Sequence, residues 1–445
     1  MKIKQKLLLF FVSVLCFGLN AQEKSMRISL DEAIDFAIEN SYNTKASKNG
    51  ISSAKQTVRE TTASGLPQIN ASFDYQNFLK QPVSLADFNG DGIDEQFVFG
   101  KKQNLSATVT LSQLIFDGSY LVALKASKAY LKISEQANEK TEILTREAVV
   151  NAYGTVLVSE KSILILEGNL NILEKNLNDA QKIYENGFNE QEDVEQLEIT
   201  FGTLKNQLNN LERMKGIAYQ MLNLALGNPV NTSLVLTDTL DTLTERNIDL
   251  ALVSETFNFS QHIDFKIAEN DRESKRLLMQ LEKSKALPSL SAFVNYGNQA
   301  FSDSFSFFNR DQQWFDSSLL GVSLKVPIFS SFSRKARTAQ ARIALETADV
   351  RLEEVKQRLS LMAQKAKNEY QLSVENYTTA KRNVRLSERI EKKQRIKFFE
   401  GISSSFDLLQ AQNQLYTQQQ NYVQSMLDVI AKKVALENAL NVSNK

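Results

Sequence analysis

Cysteine and histidine are nearly absent from this chain of 445 residues, which contains one of each. Cys16 lies close to the N-terminus, so the rest of the chain cannot form a disulfide and must be held together by packing or assembly. The single histidine, His262, excludes a histidine metal cluster and a catalytic triad. We expect His262 to be a solvated residue of a helix.

Proline and glycine are also scarce, with 5 and 16 residues, and this predicts long regular elements rather than many small loops. Beyond the N-terminus no run approaches the ~18 consecutive apolar residues of a membrane-spanning helix. Insertion into a membrane would therefore require a β-barrel. Neither sign of charge dominates, because 52 basic residues balance 52 acidic ones, so nothing indicates a nucleic-acid-binding chain.

Residues 1–21 have the layout of a secretory signal peptide. Three lysines precede an apolar run from Leu7 to Leu19, and Ala21 is the small residue before the expected cleavage site. A membrane anchor is the alternative, but the run is shorter than a bilayer requires. Lipidation at Cys16 is disfavoured because no small residue stands just before it. The sequence thus predicts an exported protein.

Four segments recur in the same order at nearly one offset. They are GLPQINASFDYQ at 65 and ALPSLSAFVNYG at 286, VTLSQLIFDGSY at 109 and VSLKVPIFSSFS at 322, YENGFNEQEDVEQLE at 184 and FFEGISSSFDLLQAQ at 398, and ALGN at 225 and ALNV at 439. This order indicates a tandem duplication of a unit of about 214 residues. We assign 22–227 to the first repeat, 228–249 to an equatorial linker and 250–445 to the second repeat, each repeat beginning with a helix.

Each repeat contains two segments in which apolar and small polar residues alternate. They lie at 67–80 and 101–117 in the first repeat and at 288–300 and 314–329 in the second. Alternation with a period of two predicts β-strands. The apolar face would point to a core in a soluble sheet, or to lipid in an outer-membrane barrel whose polar face lines a wet lumen. Strands of about ten residues and the signal peptide favour the barrel.

Helical hairpins are predicted at 118–226 and 331–441. A heptad seam runs through Leu166, Leu170, Leu173, Leu177, Ala180 and Tyr184, resumes as Val194, Leu197, Phe201, Leu204, Leu208 and Leu211, and returns in the second repeat as Leu408, Ala411, Leu415, Gln418, Tyr422 and Ser425. Such seams predict antiparallel coiled-coil hairpins. A helix from residue 118 to 184 would extend about 100 Å, which suits a duct that crosses a periplasm.

Four strands cannot close a barrel, since bacterial barrels begin at about eight strands. Open strand edges in lipid would leave backbone groups without hydrogen bonds, so several copies must combine. Two chains would give eight strands and a pore plugged by side chains, whereas three would give twelve strands and a channel. A transport duct favours three chains.

Several features together carry a family resemblance: the signal peptide, the duplication, the strands LPQINASFDY and LPSLSAFVNY, the strand-to-helix exit LIFDGSY and the tip YENGFNEQEDV. In these features the chain resembles the TolC-like outer-membrane efflux protein family, over essentially the whole mature sequence. The resemblance implies a mixed fold, a β-barrel plus a long α-helical barrel. A homotrimer would contribute four strands and two coiled-coil hairpins per chain to a 12-stranded barrel and a 12-helix periplasmic duct.

The implied function is the exit duct of a tripartite efflux pump or a type I secretion system. Such a duct is a passive channel in the outer membrane that extends into the periplasm, with no enzyme activity and no cofactor. Its partners would be a periplasmic adaptor protein, an inner-membrane transporter and outer-membrane lipid. The alternative from another class is a periplasmic or surface trimeric coiled-coil structural or adaptor protein.

The turns between paired helices are the first candidate site. Gly187 and Gly401 permit these turns, and with Phe188 and Ile402 they form the tips where the resemblance implies adaptor docking.

Acidic residues just beyond the tips are the second candidate site. Asp193 and Asp407 are interpreted either as helix N-terminal acids or, from the resemblance, as parts of a ring that narrows the periplasmic mouth. The family's second acid falls here on Gln410, and its gate tyrosine and arginine fall on Phe398 and Ser403. A gate locked by the same hydrogen bonds is therefore not expected.

The segment SLADFNGDGIDEQFVFG, residues 84–100, resembles the start of a calcium loop. Asp87, Asn89 and Asp91 occupy the first ligand positions, but position twelve is Val98 rather than glutamate, and only Glu95 could substitute. An extracellular turn between two strands is the simpler interpretation.

The basic run SRKAR at 333–337 directly follows the last predicted strand. Two interpretations stay open for it, a solvated helix start or a contact with lipid headgroups.

Overall fold

The computed structural model describes residues 26–86, 90, 92, 95–187 and 190–442, so the predicted signal peptide, residues 1–21, lies outside the described residues. The helices are α1 (Leu30–Asn40), α2 (Tyr42–Ala63), α3 (Gly118–Glu185), α4 (Gln191–Leu226), α5 (Leu240–Arg246), α6 (Ile263–Ser284), α7 (Ser333–Phe399) and α8 (Ser405–Leu440). The strands are β1 (Met26–Ile28), β2 (Gln68–Asn77), β3 (Val83–Ala86), β4 (Glu95–Val98), β5 (Gln103–Asp117), β6 (Leu234–Leu236), β7 (Ser289–Ser302) and β8 (Phe315–Lys325).

The chain divides into two compact units. The first comprises the described residues of 1–49, 136–266 and 354–445, and the second comprises those of 50–135 and 267–353. Helices α2, α3, α6 and α7 contribute residues to both units.

The second unit contains a four-stranded antiparallel sheet in the order β2-β5-β7-β8. Its register aligns Phe73, Ala107 and Asn298 along one row, and Ser72, Thr108 and Gly297 along the next. Because side chains of neighbouring rows point to opposite faces, most apolar residues of β2 and β5 share one face and the small polar ones share the other. Strands β2 and β8 are the two edges of this sheet.

The large apolar side chain of Phe293 is an exception on the polar face of the sheet. Phe293 of β7 pairs with Gly321 of β8. A Cβ atom on Gly321 would lie 2.3 Å from the Phe293 ring, so the glycine makes room for this ring to cover the strand.

The core of the first unit lies where the middle of α3 meets α4, α7 and α8. It includes Val149, Tyr153, Leu222, Tyr370 and Met426, which are all fully buried. The short strands β1 and β6 pair in parallel beside it. This packing explains why short elements separated by about 200 residues of sequence form at all.

Two tyrosines, one in each repeat, hold the ends of α5. The hydroxyl of Tyr153 lies 3.1 Å from a carboxylate oxygen of Asp238, just before the α5 N-cap. The hydroxyl of Tyr370 donates to the Asn247 carbonyl at 2.8 Å and accepts from the Asp249 N–H at 2.7 Å. Both hydroxyls belong to fully buried side chains and are paired with polar groups that lie outside the regular elements.

The expectation of a solvated His262 is wrong, since the residue is 6% exposed. Its Nδ1 accepts the backbone N–H of Asp264 at 3.1 Å, at the start of α6. Burial, the largest influence, lowers the pKa of His262 and keeps the imidazole neutral. The ring is therefore buried, and its Nδ1 atom is hydrogen-bonded to the backbone.

One described helix, α3, contains an 18-residue window apolar enough to cross a membrane, where the sequence predicted none. Half of that window is buried inside the protein. The apolar character is thus accounted for by packing within the first unit.

Candidate functional site at the tips of the helical hairpins

The second tip connects α7 to α8 through a Schellman turn. Gly401 has a φ of 69°, in the left-handed region. Its N–H donates to the carbonyl of Phe398 at 3.0 Å, and the N–H of Ile402 donates to the carbonyl of Lys397 at 2.8 Å. These bonds satisfy the last carbonyls of α7, and glycine is favoured because it has no Cβ to oppose the left-handed conformation.

Helix α8 begins with a capping box built from Ser404 and Asp407. The N–H of Asp407 donates to the Ser404 hydroxyl at 3.2 Å, and the N–H of Ser404 donates to Asp407 Oδ2 at 3.3 Å. The hydroxyls of Ser404 and Ser403 also donate to Oδ2, at 2.9 and 3.1 Å. Asp407 therefore fixes the start of the helix, which is one of the two roles predicted for it.

The same contacts set the charge of Asp407. The Ser404 hydroxyl, followed by the Ser403 hydroxyl and the Ser404 N–H, holds the pKa of this carboxyl below its ordinary value. The side chain nevertheless lies on the surface, as does Gln410 three residues later. A fixed negative charge thus stands exposed at the start of α8.

The first tip, between α3 and α4, is built differently. Gly187 has a φ of 77°, and its N–H donates to the carbonyl of Tyr184 at 2.8 Å. Phe188 lies outside the described residues. Glu190 is the N-cap of α4 but makes no side-chain capping bond, and no hydrogen bond joins the half-buried Asp193 carboxylate to a described side chain. The two predicted acids are therefore not equivalent.

A hydrophobic cluster lies below both tips. Its buried members are Leu166, Leu170, Leu173, Ala180, Val194, Leu197, Leu204, Phe398 and Leu408. Phe398, predicted at a gate position, is 4% exposed and belongs to this cluster, where its ring contacts Phe399 edge to face. The Phe398 ring therefore stabilises the packing of the hairpins and is not exposed on the surface of the single chain.

The two hairpins also touch through polar groups near their tips. The hydroxyl of Ser405 donates to Gln196 Oε1 at 3.0 Å. Ser403, the other predicted gate position, is half-buried and lies within 3.5 Å of Gln394. Next to them, Ile402 and Phe406 are 75% and 65% exposed. The second tip therefore presents apolar side chains beside the Asp407 carboxylate.

The calcium prediction falls mostly outside the described residues, which omit Asp87, Asn89 and Asp91. Glu95 is described and pairs with Ala86 between β3 and β4. Within the described part of the chain, no three histidine, cysteine or acidic side chains are grouped to hold a metal.

Sequence reasoning missed the role of Ser404. A serine three residues before an acidic residue, at the start of an apolar-periodic segment, is a signature of a capping box and was present in SSSFD. The hydrogen bonds of Ser403 had no such local signature, because they follow from the path of the turn.

Comparison with known proteins gives a family. The sequence profile described as outer membrane efflux protein matches residues 33–228 and 260–442, most of the chain. The curated proteins give no match.

Solved structures give the fold. The outer membrane protein VceC from Vibrio cholerae is 14% identical, with a TM-score of 0.71, covering 92% of this chain and 95% of that chain. The CmeC outer membrane channel of Campylobacter jejuni is 16% identical, with a TM-score of 0.73 over 92% and 85%. The open state of the MtrE outer membrane channel of Neisseria gonorrhoeae is 16% identical, with a TM-score of 0.70 over 92% and 88%. Because the family profile matches both ranges of residues, which together make up most of the chain, the chain belongs to the outer membrane efflux protein family.

Proposed function

We propose that this protein is the outer-membrane exit duct of a tripartite efflux pump or a type I secretion system. The observation that carries the proposal is the family match over both repeats, 33–228 and 260–442. Three copies would join their sheets into a 12-stranded barrel in the outer membrane and their long helices into a 12-helix duct in the periplasm. The duct would be passive and would carry out no chemistry.

The sheet of the second unit supports this assembly. Its edges β2 and β8 are long, and exposed apolar residues such as Phe73 and Leu320, at 78% and 73%, cover one face. An antiparallel sheet with an even number of strands places opposite strand directions at its two edges. Copies can therefore join β8 to β2 of the next copy, which removes every open edge and turns the apolar face towards lipid.

The acids at the tips are proposed to narrow the periplasmic mouth. Three copies of the exposed Asp407 carboxylate would form one ring of negative charge, with the neutral Gln410 beside it. Such a ring attracts cations and repels anions. Asp193 is a weaker candidate because it is half-buried. Phe398 and Ser403 would support the turn rather than lock it.

The tips around Gly187, Phe188, Gly401 and Ile402 are proposed to dock a periplasmic adaptor, which links the duct to an inner-membrane transporter. The exposed Ile402 side chain supports this role, because solvated apolar groups beside a fixed charge suit a protein partner.

Single-channel recording in planar lipid bilayers tests the proposal. We expect discrete conductance steps from the purified mature protein, and a lower preference for cations after Asp407→Ala. The matched control is Asp193→Ala, which should change selectivity less. A protein that never inserts and sediments as a soluble monomer would overturn the duct. A silent but inserted trimer would show a duct closed at rest.

A further inference from the structure

The turn that joins β8 to α7 presents three large apolar side chains on the surface of the second unit. Ile328, Phe329 and Phe332 are 89%, 75% and 71% exposed. The rings of Phe329 and Phe332 are in edge-to-face contact, with 5.9 Å between their centroids. Apolar side chains grouped in this way indicate a surface that an apolar partner covers.

The backbone of this turn is held in an unfavourable conformation. Ser331 and Phe332 have φ angles of 48° and 65°, which residues other than glycine seldom adopt. The guanidinium of Arg334 donates to the carbonyls of Pro327 and Ile328, at 2.9 and 3.3 Å. Arg334 thus fixes the turn that displays the Phe332 ring.

A groove of about 480 Å³ between α6 and α7 adjoins the turn. Lys283 of α6 and Arg334, Lys335 and Arg342 of α7 line it, together with the apolar Met279 and Ala339. The groove therefore combines several cations with an apolar wall.

Most of this positive charge is not neutralised within the chain. Glu282, the acidic residue of the lining, pairs with Lys285 at 2.5 Å. Arg342 lies 3.7 Å from Glu346, a loose pair on the surface. Among the described residues, Lys283 and Lys335 have no ion-pair partner. The groove is electrostatically complementary to an anion.

The first repeat provides an internal comparison, because the same strand-to-helix exit occurs there 213 residues earlier. Asp117 caps that exit by accepting two backbone N–H groups at 2.6 and 3.1 Å. Leu121 and Val122 stand where the second repeat has Arg334 and Lys335. The cations and the displayed ring are therefore features of the second repeat alone.

We propose that the turn 326–332 and the adjoining groove bind an anionic phospholipid of the leaflet that faces the periplasm, an inference that rests on the proposed outer-membrane function. A phospholipid joins a phosphate to apolar chains, and the surface joins cations to exposed rings. Free phosphate would match the cations but not the exposed rings. Basic residues beside a membrane attract anionic headgroups, and aromatic residues favour the boundary between lipid and water.

The position of the turn in a membrane can be measured with a nitroxide. Without Cys16 the chain has no cysteine, so Phe332→Cys accepts a single label. The control is Ile343→Cys, which is 58% exposed farther along α7. In vesicles of phosphatidylethanolamine and phosphatidylglycerol, we expect lipid-soluble oxygen to relax the label at 332 and a water-soluble nickel complex to relax the label at 343.

Two results of this measurement would overturn the lipid site. The first is a label at 332 that the nickel complex reaches while channel conductance is normal. The second is a label shielded from both reagents and broadened by a label on another copy, which would assign the turn to an interface between copies. Failure to insert or conduct at all would count against the proposed function instead.

The headgroup preference is tested by native mass spectrometry of the intact protein with phosphatidylglycerol. Lys283→Gln combined with Lys335→Gln should weaken binding about fivefold for each cation removed and leave phosphatidylethanolamine binding unchanged. The control is Lys125→Gln combined with Lys128→Gln, two exposed lysines of α3 in the same unit. Equal losses in both double variants, or equal competition by inorganic phosphate, would contradict a specific lipid site.

Discussion

At the scale of single residues, the role of Asp407 as a helix cap is compatible with its proposed role in a ring of negative charge. Its Oδ2 atom accepts the capping bonds that begin α8, while the carboxylate stays on the surface. Capping keeps the group ionised and fixes its position. A constriction ring needs a charge with both properties, so the cap supports the proposed ring rather than competing with it.

Removing the cap should loosen the first turn of α8. Ser404→Ala removes the hydroxyl that accepts the Asp407 N–H, and caps of this kind are worth about 1 kcal/mol. We expect hydrogen exchange of the Asp407 and Leu408 amides to accelerate about fivefold. The control is Glu190→Ala, at an N-cap without a side-chain bond, which should leave exchange in α4 unchanged. Equal effects at both caps would contradict the role of Ser404.

The same cap predicts a pH dependence. Because the folded-state pKa of Asp407 lies below the ordinary value, its contribution is complete above that value and is lost as pH falls through the folded-state pKa. The protection factors of the Asp407 and Leu408 amides, which are exchange rates corrected for the intrinsic effect of pH, should therefore fall in strongly acidic solution for the wild type. In Asp407→Asn the protection factors should be low and independent of pH, and a variant with the wild-type profile would refute the assignment.

Tyr370 makes a second residue-scale prediction. Tyr370→Phe removes the acceptor of the Asp249 N–H, and loss of such a hydrogen bond costs about 0.5–1.5 kcal/mol. We expect a lower free energy of unfolding in urea and faster exchange of the Asp249 amide. Tyr130→Phe is the control, since Tyr130 is 52% exposed. An unchanged Asp249 amide would mean that the Tyr370 hydroxyl does not hold the end of α5.

At the scale of elements, long helices and strands could be predicted from the sequence, whereas the short elements of the linker could not. The helical hairpin predicted at 118–226 corresponds to α3 and α4, and the strand predicted at 67–80 corresponds to β2 at Gln68–Asn77. Their repeating patterns extend over many residues. The linker 228–249 gave no such signal, although it contains β6 and α5, because those depend on β1 and on the core of the first unit.

Substitution of alanine for Gly401 or for Gly168 should change the stability of the protein in opposite directions. Gly401→Ala places a Cβ in the left-handed region at φ 69°, which opposes the turn by about 1–2 kcal/mol. Gly168 lies inside α3 with open space around its Cα, so Gly168→Ala should stabilise by about 0.5–1 kcal/mol. Thermal unfolding followed by circular dichroism should give a lower Tm for the first variant and a higher Tm for the second. A shift of the same sign in both would exclude this account.

At the scale of the whole molecule, the polar residues of the core were the hardest to foresee. Asn169 of α3 donates to Gln419 of α8 at 2.8 Å inside the helical packing, and His262 is buried. Sequence reasoning places polar residues at the surface by default, because an isolated polar group costs free energy when buried. The hydrogen-bond partner of Asn169 lies on a helix 250 residues away in the sequence. Such a pairing depends on the tertiary fold, which local sequence patterns do not reveal.

The proposed closure of three sheets into one ring predicts which strands of different copies meet. Because β2 and β8 are different edges of the sheet, a ring requires contact between β2 of one copy and β8 of the next, whereas a two-fold dimer would pair β2 with β2 or β8 with β8. In a background without Cys16, Ser72→Cys in β2 can be combined with single cysteines along β8. We expect oxidation in vesicles to yield covalent trimers, at alternate β8 positions because only every second side chain faces the same side. Ser72→Cys alone should stay uncrosslinked, and covalent dimers from that single variant would establish a two-fold contact and refute the ring.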